Sequence, residues 1–133
     1  MRNKTNVAAE PSRILVIDDE PNICAVFADA LVRHNYLVRT CTSGEEAMQV
    51  VGSESFDAVF IDVMMPGMNG LQVLRALRER LPRAIFIMIT GYPDSGLVDG
   101  SLASGAFLCL SKPVSLEDVV HLLDDISGDS SSG

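Results

Sequence analysis

Five side chains in this sequence are spaced to do chemistry together: Asp18 and Asp19, Asp62, Thr90 and Lys112. Each stands at or just past the end of a short apolar run, ILVI at 14–17, AVFI at 58–61, AIFIMI at 84–89 and FLCL at 107–110. Carboxylates gathered at one point repel one another and persist only with a cation among them. An all-oxygen set favours a hard ion such as Mg²⁺, which keeps several waters and shares its coordination with phosphate oxygens. A lysine aimed at the same point adds positive charge, and a threonine hydroxyl adds a donor. That combination suits a phosphoryl group as its charge spreads over three equatorial oxygens. One carboxylate then serves as nucleophile, since aspartyl phosphates are an established covalent form. Asp62 is the candidate, because the adjacent Asp18 and Asp19 read as metal ligands. Taken alone, adjacent aspartates after a strand are more often a charge pair favouring a helix N-terminus. The company of Asp62 and Lys112 reverses that preference.

The elements that must position these groups follow from periodicity. With YLVRTC at 36–41 the apolar runs number five, and three of them are apolar without alternation, as in strands covered on both faces of a parallel sheet. Between them, Ile23, Val26, Phe27, Ala30 and Leu31 form one helical stripe and Leu71, Leu74, Leu77 and Leu81 another. A last helix turns Leu116, Val119, Val120 and Leu123 inward. Ser43 with Glu46, and Ser115 with Asp118, have the spacing of capping boxes. The stretch 93–105 contains Gly96, Gly100 and Gly105 and predicts a short, mobile helix. Strands alternating with helices define an α/β fold, a doubly wound five-stranded parallel sheet with helices on both faces. Ligands of such sheets bind beyond the carboxyl ends of the strands. All five polar residues fall on that edge.

Composition narrows the function classes. A net charge of −8 and a pI near 4.5 argue against direct binding to nucleic acid or an anionic membrane. Cys24, Cys41 and Cys109 are odd in number and lie in apolar surroundings, so they read as thiols in a reducing compartment. No run has the length of a membrane span and no signal peptide is evident, which leads to the expectation of a cytoplasmic protein. His34 and His121 stand isolated on helices and read as solvated. Met64, Met65 and Met68 lack a thiolate partner and read as packing. Residues 1–12 read as a flexible leader, 13–126 as the folded domain and 127–133 as a flexible tail or linker stub.

Four segments, IDDE at 17–20, IDVMMPGMNG at 61–70, ITG at 89–91 and SKP at 111–113, make the chain resemble the receiver domain of two-component response regulators. The resemblance implies the strand order 2-1-3-4-5. It implies that Asp62 accepts a phosphoryl group from a histidine kinase or histidine phosphotransfer protein, the chain catalysing only its own phosphorylation and dephosphorylation. Asp19 and Asp62 would ligate Mg²⁺ directly, Asp18 through water, and the Met64 backbone carbonyl would add a ligand. Thr90 and Lys112 would contact the phosphoryl oxygens, and Pro113 would supply a cis peptide bond. A downstream protein or output domain would be engaged through about 93–126, and a homodimer is compatible with the resemblance.

The chain departs from the family in places. Cys109 occupies the switch position where the family carries Tyr or Phe, with Phe107 two residues earlier and, by strand alternation, on the same side. Either Phe107 substitutes in part or the aromatic half of the switch is missing; the second is the preferred reading, and on it phosphorylation is expected to reorder the Thr90 loop and the glycine-rich helix without a ring flip. Met64 and Tyr92, two residues beyond Asp62 and Thr90, are bulky and predict slow loss of the phosphoryl group. Two other functions compete. A Mg²⁺-dependent phosphatase resembling the haloacid dehalogenases would need a second Asp where Met64 stands, and a scaffold that is never phosphorylated would be expected to lose the acidic pair or the lysine.

Overall fold

The computed structural model describes residues 12–65, 67, 69–92 and 96–132, with the backbone alone for 127–132. The expected leader up to Pro11, Pro66 and Met68 of the turn after Asp62, and residues 93–95 of the glycine-rich stretch lie outside these. Strands and helices alternate throughout: β1 (Arg13–Ile17), α1 (Pro21–Val32), β2 (Leu37–Cys41), α2 (Gly44–Val50), β3 (Ala58–Asp62), α3 (Gly70–Arg80), β4 (Ile85–Thr90), α4 (Leu97–Ala103), β5 (Leu108–Ser111) and α5 (Leu116–Ser132). All neighbouring strands pair in parallel, in the order β2-β1-β3-β4-β5. That is the doubly wound 2-1-3-4-5 sheet that the resemblance implied. Helix α5 continues to Ser132, past residue 126 where the sequence reading ended the domain.

Burial explains the strand composition. Every residue of β3 is buried, as are all but the first of β1 and β4, because these strands lie inside the sheet with helices on each side. Edge strands β2 and β5 are only partly covered, which accounts for the polar Arg39 and Thr40 in one of them. The sheet divides the core into two clusters. One joins Leu15, Val59 and Met88 to α2 and α3 through Ala47, Val73, Leu74 and Leu77. The other joins Ile14, Val16, Phe60 and Ile87 to Phe27 and Leu31 of α1 and Val119, Val120 and Leu123 of α5.

Two local expectations need correction. Helix α1 buries Cys24, Phe27 and Leu31, whereas Val26 is 54% exposed. The buried stripe runs i, i+3, i+7 from Cys24, so the thiol takes the inward place that the sequence reading gave to valine. At α2, Ser43 Oγ accepts from the Glu46 N–H (3.1 Å), but Glu46 Oε1 accepts from Thr42 N (2.8 Å), one residue outside the helix cap. Reciprocal capping occurs instead at α3, where Asn69 Oδ1 accepts from Gln72 N (3.0 Å) and Gln72 Oε1 from Asn69 N (2.9 Å). Ser115 Oγ accepts from Asp118 N as expected.

Leu77 is fully buried between α3 and the sheet. Leu77→Ala is expected to lower the unfolding free energy by about 2–5 kcal/mol, read from urea midpoints at unchanged slope; an unchanged midpoint would contradict the packing described.

Candidate functional site at the carboxyl edge of the sheet

Register places the acidic residues. Ile17 of β1 pairs with Ile61 of β3, so Asp18 and Asp62, one residue further along each strand, emerge at the same level on adjacent strands. Asp62 in turn pairs with Ile89, and Thr90 with Ser111, which brings Thr90 and Lys112 to the same edge. One carboxylate oxygen each from Asp18, Asp19 and Asp62 lies within 4.8 Å of the others. Asp18 and Asp62 are buried and Asp19 is partly so. Three anionic oxygens at this separation fit a hard divalent cation, and they are the residues the sequence nominated.

Each group is braced by its neighbours. The Asp18 N–H donates to the Cys41 carbonyl (3.0 Å), the Asp18 carbonyl accepts from Cys24 Sγ (3.3 Å), and Asp18 Oδ1 accepts from Glu20 N (2.9 Å). Asp62 Oδ1 accepts from Met64 N (3.1 Å), and Asp62 Oδ2 faces Lys112 Nζ at 3.3 Å. Thr90 is fully buried; its Oγ1 accepts from Tyr92 N (2.9 Å) and its carbonyl from Lys112 N (2.8 Å). Behind Asp62, Gly70 N donates to Val63 O (2.9 Å), and a Cβ at Gly70 would collide with the Asp62 carbonyl and Val63 Cα. Glycine at this position therefore lets α3 begin directly against the strand that carries Asp62. The Lys112–Pro113 peptide is cis, as the resemblance implied.

Electrostatics follows from burial. Desolvation is the largest influence on Asp18 and raises its carboxyl above the usual 3.8; the Glu20 amide opposes it, Asp62 raises it further, Lys112 lowers it and Asp19 raises it. Burial alone would lower the Lys112 ammonium, but the charge and hydrogen bond of Asp62, with Asp18 and Glu20, outweigh it and hold the group above its ordinary value. Lys112 thus stays cationic beside the acids. Burial pushes the Cys41 thiol up to about 12 and also raises Cys24, so both are inert thiols packed under the site.

Beside the carboxylates a cavity of about 480 Å³ opens between α1 and the segment after β5, lined by Asp18, Phe27, Lys112 and Pro113 among others. Met64 and Tyr92 stand exposed at the ends of their strands' loops. Cys109 pairs with Met88 in the sheet and packs, half-buried, on the α2 and α3 side. Phe107 precedes β5, is 54% exposed and belongs to neither core cluster, so the alternation argument that put it on the side of Cys109 does not apply. His34 and His121 are exposed as expected, yet they are not isolated from each other: both line a shallow cleft between α1 and α5.

Fold and site together define an open α/β module with three carboxylates and a lysine at the carboxyl edge of its sheet, and comparison with known proteins makes this specific. The chain belongs to the response regulator receiver domain family, whose pattern it matches over residues 14–124. It is 35% identical over 118 residues to the transcriptional regulatory protein TcrA of Mycobacterium tuberculosis, a match covering 86% of this chain and 46% of that protein. The chain thus spans about half the length of that relative. A CheY-like receiver domain protein from Methanospirillum hungatei superposes with a TM-score of 0.84 at 26% identity, covering 92% of this chain and 99% of the other. A Burkholderia pseudomallei response regulator, solved with a phosphorylated aspartic acid, a calcium ion and citrate, gives 0.80 at 27% identity over 91% of this chain and 72% of its own. Among the described residues no helix is long and apolar enough to cross a membrane.

Because folding raises the Asp18 carboxyl, the folded chain holds that proton to higher pH than the unfolded chain. Stability contributed by this group therefore falls as pH rises above 3.8 and stays lower at neutral pH. Asp18→Asn, which keeps an acceptor for Glu20 N, is expected to melt a few degrees higher than the native chain in EDTA at neutral pH and to gain nothing from Mg²⁺. The native chain is expected to gain stability from Mg²⁺. Scanning calorimetry at several pH values checks both, and a lower melting point for the variant in EDTA would refute the account of Asp18.

Proposed function

We propose that this chain is the phosphorylation-controlled receiver of a two-component system, with Asp62 accepting a phosphoryl group from the phosphohistidine of a histidine kinase or histidine phosphotransfer protein. The observation that carries the reading is the buried Asp62 carboxylate, held 3.3 Å from Lys112 Nζ and within 4.8 Å of two further carboxylates. An oxygen of Asp62 attacks phosphorus, the P–N bond to the donor imidazole breaks, and the imidazole leaves with that electron pair and takes up a proton. Lys112 meets the charge on the transferring oxygens. The Thr90 hydroxyl turns toward the bound phosphoryl group. Asp18, Asp19, Asp62 and the Met64 carbonyl are the residues that would hold Mg²⁺. When bound, the ion neutralises charge on the phosphoryl oxygens.

Three further observations support this reading over its competitors. The phosphorylated aspartate in the Burkholderia regulator belongs to a protein of the same fold. Where a phosphatase of this architecture needs a second acid, this chain has Met64, 52% exposed and unable to protonate a leaving group. The acidic pair and the lysine that a scaffold would have no use for are all in place.

Signal output follows from the position of Thr90. Drawing its hydroxyl to the phosphoryl group breaks the bond from Tyr92 N and pulls on the loop leading to α4. The surface formed by about 93–126 carries exposed Leu102 and Phe107 and would meet the downstream protein or output domain, or a second receiver. Cys109, being half-buried and lacking a ring, transmits nothing by rotation. A cytoplasmic location for the chain, with its three free thiols, goes with this reading.

Incubation with acetyl phosphate and Mg²⁺, followed by intact mass, is expected to show one added phosphoryl group on the native chain and none on Asp62→Asn. Failure of the native chain to gain mass would sink the receiver reading, and steady turnover of a generic phosphoester would favour a phosphatase. Replacing both Met64 and Tyr92 by alanine is expected to shorten the phosphoryl lifetime by about tenfold, a barrier change of roughly 1.4 kcal/mol, as followed by the decay of the phosphorylated mass.

A further inference from the structure

Helix α4 is built with two opposed features. Ser101 is fully buried, and its Oγ is the one buried side-chain oxygen or nitrogen among the described residues without a hydrogen-bond partner. Alanine would fill the same space with higher helix propensity and no hydroxyl to desolvate. The seven-residue helix that follows Gly96 is too short to hold itself together without packing. Its other end is gripped from α3. Arg78 Nη1 donates to the Ser104 carbonyl (2.9 Å) and Arg75 Nε to Ser104 Oγ (3.3 Å). Gly105, at φ 109°, leaves the space that the Arg78 guanidinium occupies; a Cβ there would overlap it.

The arginines are notable for what they do not do. Among the described residues Arg13, Arg33, Arg39 and Lys112 each pair with a carboxylate. Arg75 and Arg78, like Arg80 and Arg83, form no ion pair among the described residues, and the first two direct donors to Ser104.

We propose that the buried Ser101 hydroxyl and the Arg75–Arg78 clasp act against each other to set how readily Asp62 takes up phosphoryl. The hydroxyl disfavours the α4 position described here, and the clasp favours it. This rests on the reading of Asp62 as phosphoacceptor. A pull from Thr90 along the chain reaches α4 at its Gly96 end while the Ser104 end stays held by the arginines, so the helix shifts about the clasp and Ser101 gains a partner or solvent. By linkage, any change that stabilises the unphosphorylated position lowers affinity for the phosphoryl group by the same factor.

The test uses beryllium fluoride with Mg²⁺ as the phosphoryl mimic on the full chain, titrated calorimetrically beside melting curves in EDTA. Native chain that does not bind the mimic, or binds it equally well as Asp62→Asn, would overturn the phosphoacceptor reading itself. Given binding by the native chain, Ser101→Ala is expected to melt higher and bind about three- to tenfold more weakly. Arg78→Gln, an exposed substitution, is expected to melt lower and bind several-fold more tightly, and the double variant should return toward native affinity. Native affinity in both single variants would overturn the proposal while leaving Asp62 as acceptor. So would a Ser101→Ala chain that melts lower than native, because the hydroxyl would then be satisfied.

Discussion

Repulsion between carboxylates held at one edge of a sheet governs this protein. Asp18 and Asp62 are buried on adjacent strands at the same level, and Asp19 stands next to them, so the folded chain keeps like charges closer than water would allow. Lys112, 3.3 Å from Asp62, offsets part of that repulsion, and its own charge is held by the acids it faces. The residual negative potential is of the sign that a divalent cation would relieve. Rigidity is the other requirement, since a loose edge would let the acids move apart. The fully buried β3, the hydrogen bonds that the Glu20 and Met64 amides donate to Asp18 and Asp62, and the contact of Gly70 with the back of β3 provide it.

Much of this was legible in the chain. The acids and the lysine could be placed because each follows an apolar run, and parallel sheets put the ends of such runs on one edge. The sheet itself was legible for the same reason: uninterrupted ILVI, AVFI and AIFIMI tolerate only a position covered from both sides. The cis bond before Pro113 and the strand order came through the family resemblance, not through any local signal.

Other features were hidden for identifiable reasons. Cys24 reads as a small residue of uncertain side, so the inward stripe of α1 was drawn through Val26. Asn69 and Gln72 form the reciprocal cap, yet the familiar pattern begins with a hydroxyl residue. Strand alternation could not speak for Phe107 because β5 starts one residue later. The grip of Arg75 and Arg78 on Ser104 joins residues almost thirty apart in sequence and leaves no periodic trace. Nor can a sequence show that a serine has lost every partner, because that depends on what surrounds it in space.

The division of the core by the sheet has an evolutionary consequence. Side chains around α1 and α5 share no cluster with those around α2 and α3, so a substitution that repacks one side has little to disturb on the other. The cavity mouth belongs to the first side and the clasped helix to the second. Packing beside the cavity and packing under the clasped helix can thus drift on separate clocks, with the strands between them common to both.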